Sequence, residues 1–115
     1  MFDACRFWLD KGVAGFRLDA IPELFEDPQL RDEKVLPGKN DFGDPNIENN
    51  LVSNLPQVHV VMRALRKLVD SYPGNRVLIG ETYLSNIKDQ LLWYGRNNDE
   101  LQLPMDMHVG FTNKL

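Results

Sequence analysis

Apolar and polar positions along the chain change period several times. Phe2, Cys5, Phe7, Trp8 and Leu9 put an apolar face on an N-terminal helix, which Gly12 stops at its C-terminal end. Gly15 to Asp19 reads as a short strand. From Ala20 to Asn54 the periodicity is lost among turn formers: Pro22, Asp27-Pro28, Pro37-Gly38, Asn40, Gly43-Asp44-Pro45 and Asn49-Asn50. A connection this long is unusual in a compact domain and is more often functional than not. The clearest helix follows. Val58, Val61, Met62, Leu65, Leu68 and Val69 recur at i, i+3, i+4 spacing and predict one buried stripe. Pro56 suits its first turn, and Tyr72-Pro73-Gly74 stops it. Arg63, Arg66, Lys67 and Asp70 occupy its other faces and read as solvated surface. Val77 to Ile79 is a buried-strand run that ends at Gly80-Glu81. Ser85 is placed to cap a short helix through Ile87, Leu91, Leu92 and Tyr94. Leu101 to Phe111 reads as a last strand, with Pro104 near its start.

The order is helix, strand, long loop, helix, strand, helix, strand. Strands alternating with helices predict an α/β protein with a parallel sheet and right-handed crossovers. There are no internal repeats and no low-complexity segments.

Composition narrows the classes. An apolar fraction of 43% and a charged fraction of 26% in 115 residues fit a globular protein, or part of a larger one. The net charge of −4 argues against a nucleic-acid partner. No apolar run approaches the ~20 residues of a membrane span, so no membrane partner is expected. The lone Cys5 has no intrachain partner and reads as buried and inert. Asp3 and Arg6 interrupt the first apolar stretch, so it is not a signal peptide; a cytoplasmic protein is expected. That stretch reads as a helix that has lost its beginning.

Two acids stand out. Asp19 closes Gly15-Phe16-Arg17-Leu18, and Glu81 closes Val77-Leu78-Ile79-Gly80. A carboxylate at a strand end, before a loop, is where α/β folds place chemistry. Two of them suggest paired-carboxylate work, of which glycoside hydrolysis is the leading case. Arg17 lies two residues before Asp19, so on a strand both side chains share a face. The guanidinium would keep Asp19 ionised, which suits a nucleophile. Partial burial of Glu81 would favour its protonated form, which suits a general acid. Spacing alone leaves other readings open: a structural ion pair for Arg17 and Asp19, and a capping or solvated acid for Glu81.

Longer stretches carry a resemblance. Gly12-Val13-Ala14-Gly15-Phe16-Arg17-Leu18-Asp19-Ala20-Ile21-Pro22-Glu23-Leu24-Phe25-Glu26 resembles the strand-4 signature of glycoside hydrolase family 13, the α-amylase family. It is most similar to the α-glucosidases of the oligo-1,6-glucosidase type. Val77 to Leu84 resembles the strand-5 signature, and Asp99 to Phe111 resembles the segment leading through strand 6. The resemblance runs in order over nearly the whole chain. It implies a partial (β/α)8 barrel of about three parallel strands, a single piece over residues 1–115 with a long strand-to-helix loop at about 26–54 that borders the substrate.

The resemblance also implies roles. Asp19 matches the catalytic nucleophile and Glu81 the general acid/base. Arg17 matches the arginine that contacts the nucleophile and the −1 sugar. Ala20 matches the position that carries alanine in α-1,4-preferring members, and Tyr83 is placed as a sugar contact. The implied substrate is an α-glucoside or maltooligosaccharide. The family's transition-state-stabilising aspartate and its sugar-holding histidines lie outside the chain, so the rest of the barrel is needed for a complete site, and the isolated piece is expected to be inactive. The calcium ligands of the family lie elsewhere too, and no metal or cofactor is expected. His59 reads as a surface or boundary residue, His108 as a packing residue or strand-6 site residue, and Trp8, Trp93 and Tyr94 as core. A transferring relative such as a trehalose synthase, and a non-catalytic transporter heavy chain of the same fold, are the alternatives. No Gly-rich phosphate loop supports a small doubly wound binding module.

Overall fold

A computed structural model describes residues 1–40, 42–84 and 86–106. Helix α1 (Phe2–Asp10) leads into strand β1 (Gly15–Leu18). The long connection then carries a 3₁₀ turn at Ile21–Glu23 and two strands, β2 (Val35–Lys39) and β3 (Pro45–Ile47). Helix α2 (Pro56–Asp70), strand β4 (Val77–Glu81), helix α3 (Ile87–Leu92) and strand β5 (Leu103–Met105) complete the order.

Strands β1, β4 and β5 form one parallel sheet in that order. Gly15 pairs with Val77 and Leu18 with Gly80, so Asp19 leaves β1 beside Glu81. Gly15 has to be glycine. Its φ is +150°, and a Cβ there would lie 1.9 Å from the Val77 carbonyl oxygen. The helix-facing side of the sheet holds the core. The predicted α2 stripe is confirmed: Val58, Met62, Leu65 and Val69 are buried together with Leu9, Leu78, Trp93 and Leu101. Phe16 and Leu18 pack against this cluster. The other side carries Arg17, Ile79, Glu81, Leu103 and Met105, and no helix among the described residues covers it.

Several expectations change. The connection after β1 is not an unstructured loop. β2 and β3 pair antiparallel, and Asn40 makes the turn by accepting the Phe42 and Asp44 amides at 2.9 Å each. Pro37, Gly38 and Pro45 hide this hairpin from a propensity reading, because both residue types are depleted in strands. The stem of the connection is tied together. Asp27 N–H donates to the Leu51 carbonyl at 2.7 Å, and Asn54 N–H to that of Pro22 at 2.9 Å. The Glu33 carboxylate accepts the amides of Leu51 at 2.5 Å and Val52 at 3.1 Å.

The cap of α3 is Asn86, whose side chain accepts the Lys88 amide at 2.9 Å; Ser85 lies outside the described residues. Strand β5 spans only Leu103–Met105, and the predicted continuation through Phe111, with His108, also lies outside them. Trp8 and Tyr94 are exposed rather than core, and Cys5 is half-buried; Trp93 is fully buried, as expected. Ile87, Leu91 and Leu92 on α3 face outward, while Gln90 is the buried residue of that helix.

Candidate active site

Two strand ends and one arginine build the site. β1 delivers Arg17 and Asp19, and β4 delivers Glu81, all at the C-terminal edge of the sheet. One Arg17 nitrogen donates to Asp19 Oδ1 and another to Glu81 Oε2, so a single guanidinium bridges both acids. The sequence pattern pairs this cation with Asp19 alone. Register supplies the second partner, because it sets β4 directly beside β1.

The environments of the two acids differ. The Asp19 side chain is 78% exposed and that of Glu81 only 11%. A hydrogen bond with Glu81, and next the Arg17 guanidinium, hold the Asp19 carboxyl below the ordinary carboxylate range. The Arg17 pKa is raised, first by its hydrogen bond to Asp19. The Tyr83 phenol is raised as well, chiefly because its hydroxyl hydrogen-bonds to Glu81 and then through burial. Tyr83 is therefore electrostatically linked to Glu81. It also borders a cleft of about 490 Å³ with Asn49, Asn50, Ser53, Asn54 and Asp89, so the end of the long connection lies beside the acids.

Ala20 follows Asp19 in the left-handed region, at φ 41° and ψ 44°. That conformation disfavours a Cβ and reverses the chain into the Ile21–Glu23 turn. Gly80, just before Glu81, lets Leu101 and Ile21 close over β4; a Cβ there would fall 2.3 Å from Leu101 Cδ1 and 2.6 Å from Ile21 Cδ1. Ile21 in turn is buried at the start of the turn that leaves Asp19.

Sequence reasoning missed a second polar cluster on the outer flank. His59 is a boundary residue, as expected, but a partnered one. Its Nδ1 lies 2.6 Å from Glu100 Oε2, its Nε2 3.3 Å from Asn54 Oδ1, and its ring packs on Trp93 with centroids 4.8 Å apart. Arg63 reaches Glu100 Oε1 at 2.7 Å, and Arg66 donates to the Glu100 carbonyl at 3.1 Å, so these two arginines are not simply solvated. Glu100 is buried, as a carboxylate can be when it is paired. This cluster lines a cavity of about 610 Å³, which lies between α2 and the turn after α3 and contains none of the strand-end acids. It joins the end of the long connection to the base of β5. No short-range signal announces a His59–Glu100 pair, because 41 residues separate the partners.

Among the described residues, no three His, Cys, Asp or Glu side chains are grouped to hold a metal ion. No described helix is long and apolar enough to cross a membrane.

Acids converging at the C-terminal ends of adjacent parallel strands, with helices on the far face, fit a segment of a (β/α)8 barrel, whose active sites sit at that end. Comparison with known proteins gives the family. Residues 1–114 match the family described as alpha amylase, catalytic domain, and the chain belongs to it. It is 38% identical over 96 residues to an alpha-glucosidase of Culex pipiens, covering 76% of this chain and 16% of that protein. Maltase 1 of Drosophila virilis is 39% identical over 92 residues, with coverages of 72% and 14%. The trehalose synthase/amylase TreS of Mycolicibacterium smegmatis is 40% identical over 82 residues, with coverages of 70% and 10%. Among solved structures, the alpha-glucosyl transfer enzyme XgtA superposes with a TM-score of 0.73 at 33% identity, over 89% of this chain and 20% of that one. The trehalose-6-phosphate hydrolase of Bacillus licheniformis does so with a TM-score of 0.70 at 25% identity, over 93% and 17%. The chain thus spans 10–16% of the length of these curated relatives. Its parallel sheet is an arc of their barrel.

Proposed function

We propose that this chain carries the catalytic pair of a retaining α-glucosidase acting on α-linked gluco-oligosaccharides. The observation that carries the reading is the Arg17 bridge, which holds Asp19 and Glu81 side by side on neighbouring strand ends. One guanidinium in contact with both carboxyls keeps them close, which favours the separation used for retention, about 5–5.5 Å, over the about 6.5–9.5 Å that inversion requires.

In this mechanism the ionised Asp19 attacks the anomeric carbon. The bond to the glycosidic oxygen breaks while Glu81 gives that oxygen its proton. A β-glucosyl ester forms on Asp19. Glu81, now a base, takes a proton from water, and the incoming hydroxide oxygen displaces Asp19 to return the α-configured sugar. Arg17 orients both acids and keeps Asp19 anionic. Tyr83 orients the Glu81 carboxyl and borders the leaving-group side, and Ala20 lines the nucleophile's flank. An acceptor sugar in place of water makes the same site a transferase. The similarity to a trehalose synthase and to a glucosyl transfer enzyme favours keeping that second reading. The presence of both acids argues against a non-catalytic heavy chain.

The test uses a complete barrel carrying this segment. Treatment with 5-fluoro-α-glucosyl fluoride, followed by proteolysis and mass spectrometry, should find one fluoroglucosyl adduct, on Asp19. With Glu81→Ala, azide should restore turnover of an activated α-glucoside and yield the α-glucosyl azide. An adduct on another residue, or a β-configured azide, overturns the mechanism.

A further inference from the structure

We propose that Gln90 is a positioning residue for Glu81, acting through a hydrogen-bonded clamp on Thr82 and Met105. The proposal rests on Glu81 being the acid/base. Three observations carry it.

The first is geometric. The β4–β5 ladder ends at the pair Glu81 and Met105. One residue further, Gln90 Nε2 donates to Thr82 Oγ1 at 2.8 Å and to the Met105 carbonyl at 3.0 Å. Thr82 Oγ1 donates to the same carbonyl at 3.3 Å. A carbonyl only accepts, so the amide nitrogen of Gln90 has to face Met105. The clamp therefore continues the strand pairing past the point where the backbone ladder stops.

The second is burial. Gln90 is 3% exposed and Thr82 1%. Buried polar groups hold a defined geometry because leaving them unpaired is unfavourable. Gln90 Oε1 is itself buried and has no hydrogen-bond partner among the described residues. An apolar side chain would avoid that loss, so the amide is not explained by packing alone.

The third is the helix that carries it. Ile87, Leu91 and Leu92 of α3 face outward, and Gln90 alone is buried there. The six-residue α3 is thus held against the sheet through this amide at the strand ends. The opposite end of β4 is held by another glutamine: Gln102 accepts the Leu78 amide at 2.8 Å and donates to the Arg76 carbonyl at 3.1 Å. Only the Gln90 clamp adjoins a catalytic acid. It restrains the backbone immediately after Glu81, and a small displacement of that acid costs rate out of proportion to its size.

The test uses a complete barrel with Gln90→Leu, Thr82→Val and Thr82→Ser, each with melting temperature recorded. kcat/KM is measured for maltose, whose leaving group needs a proton, and for α-glucosyl fluoride, whose leaving group does not. It reports the glycosylation step. Gln90→Leu and Thr82→Val should lose about 10- to 100-fold on maltose and less than about 3-fold on the fluoride. The basic limb of the maltose pH profile should move in both, and Thr82→Ser should retain wild-type values. Equal losses on both substrates, or none on either, would show that the clamp is only structural. If Gln90→Leu does not fold, the contrast between Thr82→Val and Thr82→Ser decides the question on the same criteria. Glu81→Gln, run in parallel, separates the clamp from the acid/base role. Its own maltose-selective loss without one in the clamp variants removes this proposal alone, whereas no selectivity in Glu81→Gln removes the acid/base reading beneath it.

Discussion

At the scale of single residues, the proposed chemistry turns on how one cation is shared. Arg17 was legible as the partner of Asp19 because two residues on a strand share a face. Its bond to Glu81, 64 residues away, was not legible. The pH consequence can be signed. The Asp19 carboxyl is held low, first by the hydrogen bond with Glu81 and next by Arg17. Removing the guanidinium raises its pKa part of the way back, so the form competent for attack is lost at a higher pH. Arg17→Ala in a complete barrel should therefore move the acidic limb of the pH–rate profile upward and lower kcat. Arg17→Lys should recover part of the shift but not the double orientation, since an ammonium lacks the planar fork. Wild-type kcat with an unmoved acidic limb would make Arg17 structural only.

At the scale of elements, the connection between β1 and α2 behaves as a tied loop with acid-sensitive knots. Asp27, paired with Arg31 through two guanidinium nitrogens at 2.8 and 2.9 Å, has its pKa lowered from 3.8 to about 2, mainly by that side-chain hydrogen bond. Burial alone would raise Glu33, but the amides of Leu51, Asn50, Val52 and Asn49 outweigh it and leave it lowered. A carboxylate with a depressed folded-state pKa contributes stability above its unfolded pKa and loses it as pH falls through the folded value. The stem of the connection should thus hold near neutrality and loosen between about pH 4 and pH 2. Protection of the Leu51 and Val52 amides against hydrogen exchange, read in a complete barrel, should fall as acid protonates Glu33 below the ordinary glutamate range, and Glu33→Gln should leave these amides poorly protected already at neutral pH. Exchange at Leu51 and Val52 that Glu33→Gln leaves unchanged would show that this acid does not hold the stem.

At the scale of the molecule, the sheet has one covered face and one open face. Arg17, Ile79, Leu103 and Met105 line the open side, and β1 and β5 are both edge strands. Phe7 and Trp8 are half-exposed on α1 as well. Phe16, Leu18 and Leu78 lie on the other face from Met105, because register and burial put those three toward the helices. The radius of gyration is 16.3 Å, against roughly 13 Å for a compact domain of this length. Unpaired edges and an uncovered apolar face favour association. The 115-residue chain produced alone should self-associate in light scattering and show no turnover of p-nitrophenyl α-glucoside. A monodisperse monomer, with turnover abolished by Glu81→Gln, would mean that three strands suffice.

Periodicity by itself determined α2, because an amphipathic stripe needs only a face to bury against and not the identity of that face. The runs Gly15–Leu18 and Val77–Glu81 determined β1 and β4, and their terminal acids marked where the proposed chemistry would sit. Those signals are local: each depends on neighbours within a turn or a strand. Tertiary structure alone decided what depends on partners distant in the chain. Register brought Glu81 to the guanidinium of Arg17. Packing of α2 against the turn after α3 paired His59 with the buried Glu100. The closing of β4 on β5 made Gln90, rather than the leucines beside it, the inward residue of α3. A polar side chain is buried only where its hydrogen-bond partners already stand, and no periodicity records where that will be.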